Sequence, residues 1–76
     1  MSQSREYTIV LERAEEGGFV VTVPALPEVA TCGDTHDEAV ANVREAIELA
    51  IEYRIEIGEP IPDDAPPVVE RVTVAA

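Results

Sequence analysis

A long amphipathic segment in the middle of the chain constrains the fold more than any other feature of the sequence. Thr35 and Glu38 form a Thr-x-x-Glu capping box, and Asp37 adds a second acid to the first turn, where the helix dipole favours negative charge. Gly58 is a natural residue to follow the last turn of a helix. The sequence therefore predicts one helix from about His36 to Ile57, with a length of about 33 Å.

This helix is as long as the folded chain would be wide. The chain has 76 residues, and a compact chain of that length has a radius of gyration of about 11 Å, hence a diameter of about 29 Å. Apolar residues cover about 200° of the helix circumference, whereas packing on one sheet needs only roughly 100°. The excess predicts an exposed apolar flank that mediates self-association, formed by Ala46, Leu49, Tyr53 and Ile57. The alternative is that the proline-rich connector after the helix covers this flank.

Three short runs before the helix predict β-strands. Tyr7–Arg13 and Phe19–Val23 alternate between two faces, and Gly17 and Gly18 lie between them, where a hairpin loop needs positive φ. The second strand ends in a proline-bounded turn, because proline cannot donate to a strand ladder. Val29–Cys32 is the third predicted strand.

The chain after the helix predicts an extended connector and a fourth strand. Residues 58–67 hold four of the six prolines, which excludes a helix there. Val68–Val74 alternates again. The order β-β-β-α-β predicts an α+β fold with a four-stranded mixed sheet of order 3-2-1-4, in which the last strand runs parallel to the first and the helix covers one face. We expect residues 1–76 to form a single domain.

Charge and composition exclude several classes of function. Sixteen acidic residues against five basic ones give a formal net charge of −11, which disfavours binding to a phosphate backbone. No apolar run approaches the ~20 residues of a transmembrane helix, and residues 1–6 are too polar for a signal peptide. Cys32 is the single cysteine, so no disulfide forms within the chain. We expect a cytoplasmic protein that binds neither nucleic acid nor membrane and favours a basic partner.

Residue types that carry catalysis are isolated from one another in the sequence. His36 opens the helix and is more typical of a surface residue than of a general base. Cys32 has no second cysteine and no placed base, so we interpret it as a small apolar filler. Glu12 and Glu70 would bind a cation if they lay on neighbouring strands, which is the remaining argument for a metal-dependent enzyme. We expect no enzyme activity and no catalytic, cofactor-binding or metal-binding residues.

An ordered series of motifs is more specific than any of these features. Its members are Gly17-Gly18-Phe19, Pro24-Ala25-Leu26-Pro27, Gly33-Asp34-Thr35 and Gly58-Glu59-Pro60-Ile61-Pro62. The series, within about Tyr7 to Pro62, resembles the HicB family of antitoxins. The resemblance implies a partial RNase H-like fold. It also implies a protein that binds a small, basic, HicA-like toxin, which cleaves mRNA, and neutralises it by occlusion.

The sequence departs from the fuller family pattern at its C-terminal end. Many HicB-like proteins carry a DNA-binding segment after the last strand, whereas this sequence stops at Ala76. We therefore expect no C-terminal DNA-binding domain and no direct repression of its own operon.

The acidic residues supply the candidate contacts with a toxin. Complementary charge speeds encounter and excludes wrong partners, although a run of acids on a helix is more often a solvated face that aids solubility. On charge and expected exposure, the candidates are Glu15 and Glu16 in the hairpin, Glu28 in the proline turn, and Glu48 and Glu52 on the helix. The alternative function is an orphan binding module of the same fold, a dimer or tetramer without a toxin.

Overall fold

The computed structural model describes residues 4–76 and shows a small sheet covered by one helix. The elements follow one another as β1 (Val10–Arg13), β2 (Phe19–Thr22), β3 (Ala30–Gly33) and α1 (His36–Ile57). The three strands form an antiparallel sheet of order β1-β2-β3. Helix α1 packs on β3 and β2 rather than on β1. The protein is an α+β fold with β1 at one edge of its sheet.

The prediction of a four-stranded mixed sheet of order 3-2-1-4 is wrong. Within the described residues the sheet ends at β1, and Val68–Val74 lies outside it. Alternation identifies an extended segment, but a strand also needs the N–H and C=O groups of a neighbour, which periodicity does not specify. The fourth strand of the implied RNase H-like sheet is therefore not formed within residues 4–76. Glu70 consequently does not lie on a strand beside Glu12, which removes the geometric premise of the cation site.

The hairpin between β1 and β2 depends on its two glycines. The N–H of Ala14 donates to the carbonyl oxygen of Gly18 at 3.1 Å, and the N–H of Gly17 donates to that of Ala14 at 3.1 Å. Gly17 has φ of 98° and Gly18 has φ of 79°, a region that residues with a Cβ seldom adopt. A Cβ on Gly18 would also lie 2.6 Å from the carbonyl oxygen of Gly33. The hairpin loop therefore lies against the end of β3.

Strand β1 is shorter than predicted because of the proline that follows β2. The register pairs Val10 with Thr22 and Leu11 with Val21. Continued by two residues, this register sets Thr8 opposite Pro24, which has no N–H to donate. Tyr7–Ile9 therefore lies beyond the ladder.

The hydrophobic core is small and lies between the sheet and α1. Its buried members are Val21, Val23, Leu26, Val29, Ala39 and Val43, and Tyr7, Ile9, Leu11 and Phe19 pack around them. Leu26 belongs to the turn between β2 and β3, where its N–H donates to the carbonyl oxygen of Val23 at 3.0 Å. The turn thus contributes the largest fully buried side chain of the protein's described part.

The helix begins and ends at the predicted residues. The N–H of Glu38 donates to Thr35 Oγ1 at 3.1 Å, which satisfies one free donor of the first turn. Gly58 adopts φ of 75°, and the N–H of Glu59 donates to the carbonyl oxygen of Arg54 at 2.8 Å. Both ends use local chemistry that can be read from neighbouring residues.

The connector after α1 is fastened to the segment that precedes β1. Tyr7 Oη donates to the carbonyl oxygen of Pro62 at 2.6 Å. The N–H and Oγ1 of Thr8 donate to the two carboxylate oxygens of Asp64 at 2.8 and 2.7 Å. These hydrogen bonds, with the backbone N–H of Thr8 contributing most, hold the pKa of Asp64 below its ordinary value of 3.8. Asp64 therefore marks where the chain returns to the start of β1.

Beyond this point the chain runs into solvent. Residues 65–76 are all exposed and contain no helix or strand. The radius of gyration is 14.7 Å and the principal extents are 52, 26 and 20 Å, whereas a compact chain of this length has a radius of gyration of about 11 Å. We call residues 68–76 the tail.

Candidate protein-binding surfaces

The hairpin loop carries two of the five predicted toxin contacts. Glu15 and Glu16 are exposed there and line a shallow pocket together with Asp34, at the junction of β3 and α1. The Phe19 ring also lines this pocket. Its centroid lies 5.4 Å from the Arg13 guanidinium carbon and 6.0 Å from the centroid of the His36 ring. The hairpin acids therefore lie at the end of the molecule where α1 begins.

Glu28 is held by an ion pair rather than being free to meet a partner. Arg54 donates from Nε to Glu28 Oε2 at 2.9 Å and from Nη2 to Oε1 at 3.0 Å, and the Arg54 side chain is only 19% exposed. A hydrogen bond from its own backbone N–H, with further contributions from Arg54, lowers the pKa of Glu28 below its ordinary value of 4.5. The pair ties the turn between β2 and β3 to the last turn of α1.

The five predicted contacts do not form one patch. Glu28 lies beside Arg54, which is about 27 Å along the helix axis from His36 at the other end. Glu48 and Glu52 are exposed on α1 between these ends, and no ion pair within residues 4–76 holds them. The structure therefore separates a free acidic stretch of helix, an acidic hairpin tip and a structural carboxylate.

Three of the four residues of the predicted apolar flank of α1 are exposed. Leu49 is 59% exposed, Tyr53 61% and Ile57 47%, while Ala46 packs against the core. The connector does not cover Leu49 and Tyr53, because it runs from the helix end along the side where Arg54 lies. Arg54 donates from Nη1 to the carbonyl oxygen of Pro60 at 3.1 Å. That this flank mediates self-association stays a prediction.

A groove between α1 and residues 5–9 was not anticipated from the sequence. It encloses about 950 Å³. Its apolar wall on the helix consists of Val40, Ile47, Ile51 and Ile55, with Ile9 and Ile61 from the other side. Charged residues of both signs line it as well, among them Arg5, Arg44 and Glu48. The wide apolar arc of α1 was the available signal, because this arc exceeds what the sheet covers.

The sheet face that α1 leaves uncovered corrects the interpretation of Cys32 as a filler. Glu12, Val20 and Cys32 lie opposite one another across the three strands. Val20 is 44% exposed and Cys32 is also exposed. Residues one position along, such as Val21, face the core, and since side chains alternate along a strand, Cys32 must face outward.

Within residues 4–76, no helix is both long and apolar enough to span a bilayer. The same part of the chain brings together no group of three or more His, Cys, Asp or Glu side chains suited to a metal ion.

Sequence comparison agrees with the motif series. The profile of the family described as HicB-like antitoxin of bacterial toxin–antitoxin systems matches residues 7–75. The UPF0150 protein Ta0767 of Thermoplasma acidophilum is 42% identical over 71 residues, which cover 93% of this chain and 99% of that protein. The UPF0150 protein ssr1765 of Synechocystis is 40% identical over 62 residues, which cover 82% of this chain and 78% of that protein.

Relatives that are named antitoxins are longer. Antitoxin HicB 1 of Photorhabdus laumondii is 39% identical over 64 residues, which cover 84% of this chain but 41% of the antitoxin. The match thus spans about two-fifths of that protein. The resemblance noted from the motifs is confirmed, and the chain belongs to the HicB-like antitoxin family.

Proposed function

We propose that this protein binds a small, basic, HicA-like toxin and neutralises it by covering its RNA-binding surface. Membership of an antitoxin family implies a toxin as partner. The observation that supports a basic, HicA-like toxin in particular is the exposed acidic surface of a chain with net charge −11. A basic RNA-binding surface is complementary to it. The inhibition is binding and not catalysis, and it takes place in the cytoplasm, where mRNA is cleaved.

The acidic part of α1 is the strongest candidate for the toxin contact. Glu45, Glu48, Glu52 and Glu56 are all exposed and repeat every three or four residues along the helix. Like charges at this spacing cost about 0.2–0.5 kcal/mol per pair in the free protein. A basic partner would relieve that repulsion on binding. Glu15 and Glu16 form a second candidate contact at the hairpin end, whereas Glu28 is engaged by Arg54.

The test is co-expression with the product of the adjacent reading frame, followed by pull-down and a growth assay. We expect a small basic protein to co-purify and its growth arrest to be relieved. The double variant E48R/E52R should weaken this complex more than tenfold, and raised salt should weaken the wild-type complex, because the attraction is between exposed charges. E12R is the control, since Glu12 is an exposed acid on the sheet face that α1 leaves uncovered. Equal affinity of both variants would contradict the proposed contact.

The exposed helix flank favours a second candidate, an oligomeric module that acts without a toxin. Leu49, Tyr53 and Ile57 present apolar surface at helical spacing, and such a patch commonly marks an interface. This candidate requires that no neighbouring product is toxic or bound. It also requires that Y53E converts a purified oligomer to a smaller species.

A further inference from the structure

The tail has the sequence of a strand, but the part of the chain that the structure describes places no strand beside it. Val68, Val69, Val72 and Val74 are between 77% and 85% exposed. In an extended chain Val68, Glu70, Val72 and Val74 share one face, three valines and one acid, because side chains alternate. Small proteins seldom leave so much apolar surface uncovered unless it meets a partner.

The same chain also presents an unpaired strand edge. Strand β1 pairs with β2 on one side and with nothing on the other within the described residues. The N–H of Ala14 donates to the carbonyl oxygen of Gly18 and so points towards β2. Because N–H groups alternate in direction along an antiparallel strand, those of Leu11 and Arg13 point to the open side of β1. An open edge of this kind is a template for another strand.

The groove lies on the same side of the molecule and completes the binding surface. It runs between α1 and residues 5–9, which precede β1, and its helix wall carries Ile47, Ile51 and Ile55. A strand added outside β1 would lie beneath this overhanging side of α1. Its face with three valines and Glu70 would then meet the helix wall, which carries Arg44 beside the isoleucines.

The chain's own tail is directed away from this surface. Asp64 is bound to Thr8 at the start of β1, and only Ala65, Pro66 and Pro67 separate it from the tail. Consecutive prolines hold an extended, stiff conformation and supply no N–H groups. The resulting tail points into solvent, where a second molecule can receive it.

Length and charge match a second copy of the chain better than a basic toxin. The tail has nine residues and spans about 30 Å as a strand, close to the length of α1, about 33 Å. Glu70 and Arg71 are its only charged side chains, so it is neutral in a chain of net charge −11. Arg5 and Arg44 line the groove together with Glu6, Glu48 and Asp64, which gives it both signs of charge. A basic partner would be drawn to Glu45, Glu52 and Glu56, the acids of the helix that do not line the groove.

We propose that two copies of this chain form a dimer by exchanging tails, each tail lying in the groove of the other copy along the open edge of β1. A twofold axis makes the two contacts equivalent and closes the assembly. The fourth strand that is missing from the chain's own sheet is in this way supplied by a neighbour. The dimer does not depend on the proposed toxin, and it uses a different surface from the flank of Leu49, Tyr53 and Ile57.

The first test measures the mass of the purified protein in solution by light scattering. We expect the full chain to be a dimer and a chain that stops after Pro67 to be a monomer with the same helical circular dichroism, because the tail contacts no core residue. I55K, in the groove wall, should also be monomeric. L49K is the matched control on the helix flank and should remain dimeric. A monomeric full chain, or a dimer lost in L49K and retained without the tail, overturns the proposal.

The second test asks which molecule the tail contacts. In a C32S background, one chain carries V72C with a purification tag and the other carries I51C without it. Mixing under oxidising conditions should give a disulfide between the two chains, because Cα atoms must approach within about 7 Å for that bond. V68C and V74C sample neighbouring registers, and E15C paired with V72C measures random collision.

The double variant V72C/I51C in one chain provides the decisive comparison. We expect it to form covalent dimers. A monomer with a disulfide between its own two cysteines would show that the tail folds onto its own groove. If V68C, V72C and V74C all form disulfides no faster than the E15C control does, the tail does not enter the groove. Either result overturns the exchange of tails. Neither result bears on the toxin proposal, which the pull-down tests separately.

Discussion

Arg54 holds Glu28 through two parallel hydrogen bonds of 2.9 and 3.0 Å, and this pair joins the last turn of α1 to the turn between β2 and β3. The same guanidinium donates to the carbonyl oxygen of Pro60 at 3.1 Å. One side chain therefore connects the sheet, the helix and the connector. Leu26 is buried two residues before Glu28, so the pair also holds the turn that fills the core.

We expect R54A to lower the free energy of unfolding by about 1 kcal/mol. The pair is bidentate, but the Glu28 side chain is 44% exposed, so solvent screening limits its contribution. R71A removes an exposed arginine from the tail and should change the free energy of unfolding by less than about 0.5 kcal/mol. Urea unfolding followed by circular dichroism measures both variants. An equal effect would show that the ion pair contributes nothing specific.

Stability should fall on acidification in a way that depends on Glu28. Its pKa is lower in the folded chain than its ordinary value of 4.5, so its contribution is present above that value and is lost as pH falls through the folded pKa. E28Q removes the titrating group and should flatten the loss of stability below about pH 4.5. The measurement is the free energy of unfolding of both proteins between pH 7 and pH 3. A steeper loss in E28Q than in the wild type would contradict the assigned cause.

We expect G33A to destabilise the fold strongly. A Cβ at this position would lie 2.4 Å from the backbone nitrogen of Ala39, and neither the strand end nor the first turn of α1 can yield without losing contacts. Overpacking of this kind typically costs about 1–3 kcal/mol or more, a large part of the stability of a small domain. G17A tests the effect of positive φ alone, since no atom lies within 4 Å of a Cβ added at Gly17. It should lower the free energy of unfolding by about 1 kcal/mol. Thermal melts should therefore show a larger loss for G33A.

Leu26 should be the most sensitive core position. It is fully buried and is the largest such side chain in the described chain, so L26A should lower the free energy of unfolding by about 2–5 kcal/mol through lost burial and the cavity left behind. L49A removes the same atoms from a side chain that is 59% exposed and should cost less than about 1 kcal/mol in the monomer. Comparable losses would mean that Leu49 is buried in an assembly.

The site was less predictable than the elements that carry it. Glu15, Glu16, Glu48 and Glu52 are exposed as expected, because acids in a loop or on the polar face of a helix have no reason to be buried. Glu28 fits the same pattern, yet Arg54 engages it from 26 positions away. The groove behind α1 was missed for a related reason: it exists only because the helix extends beyond the strands beneath it.

The sequence by itself determined the features whose causes lie within a few residues. The hairpin at Gly17 and Gly18 and the two ends of α1 follow from local backbone geometry and capping hydrogen bonds. Only the tertiary structure decided that Cys32 faces outward, that Glu28 pairs with Arg54, and that Val68–Val74 has no strand beside it among residues 4–76. These outcomes depend on which distant groups meet. An alternating pattern of valines indicates that a segment can pair as a strand. The direction of that segment depends instead on the stiff link at Pro66 and Pro67 and on the hydrogen bonds that hold Asp64.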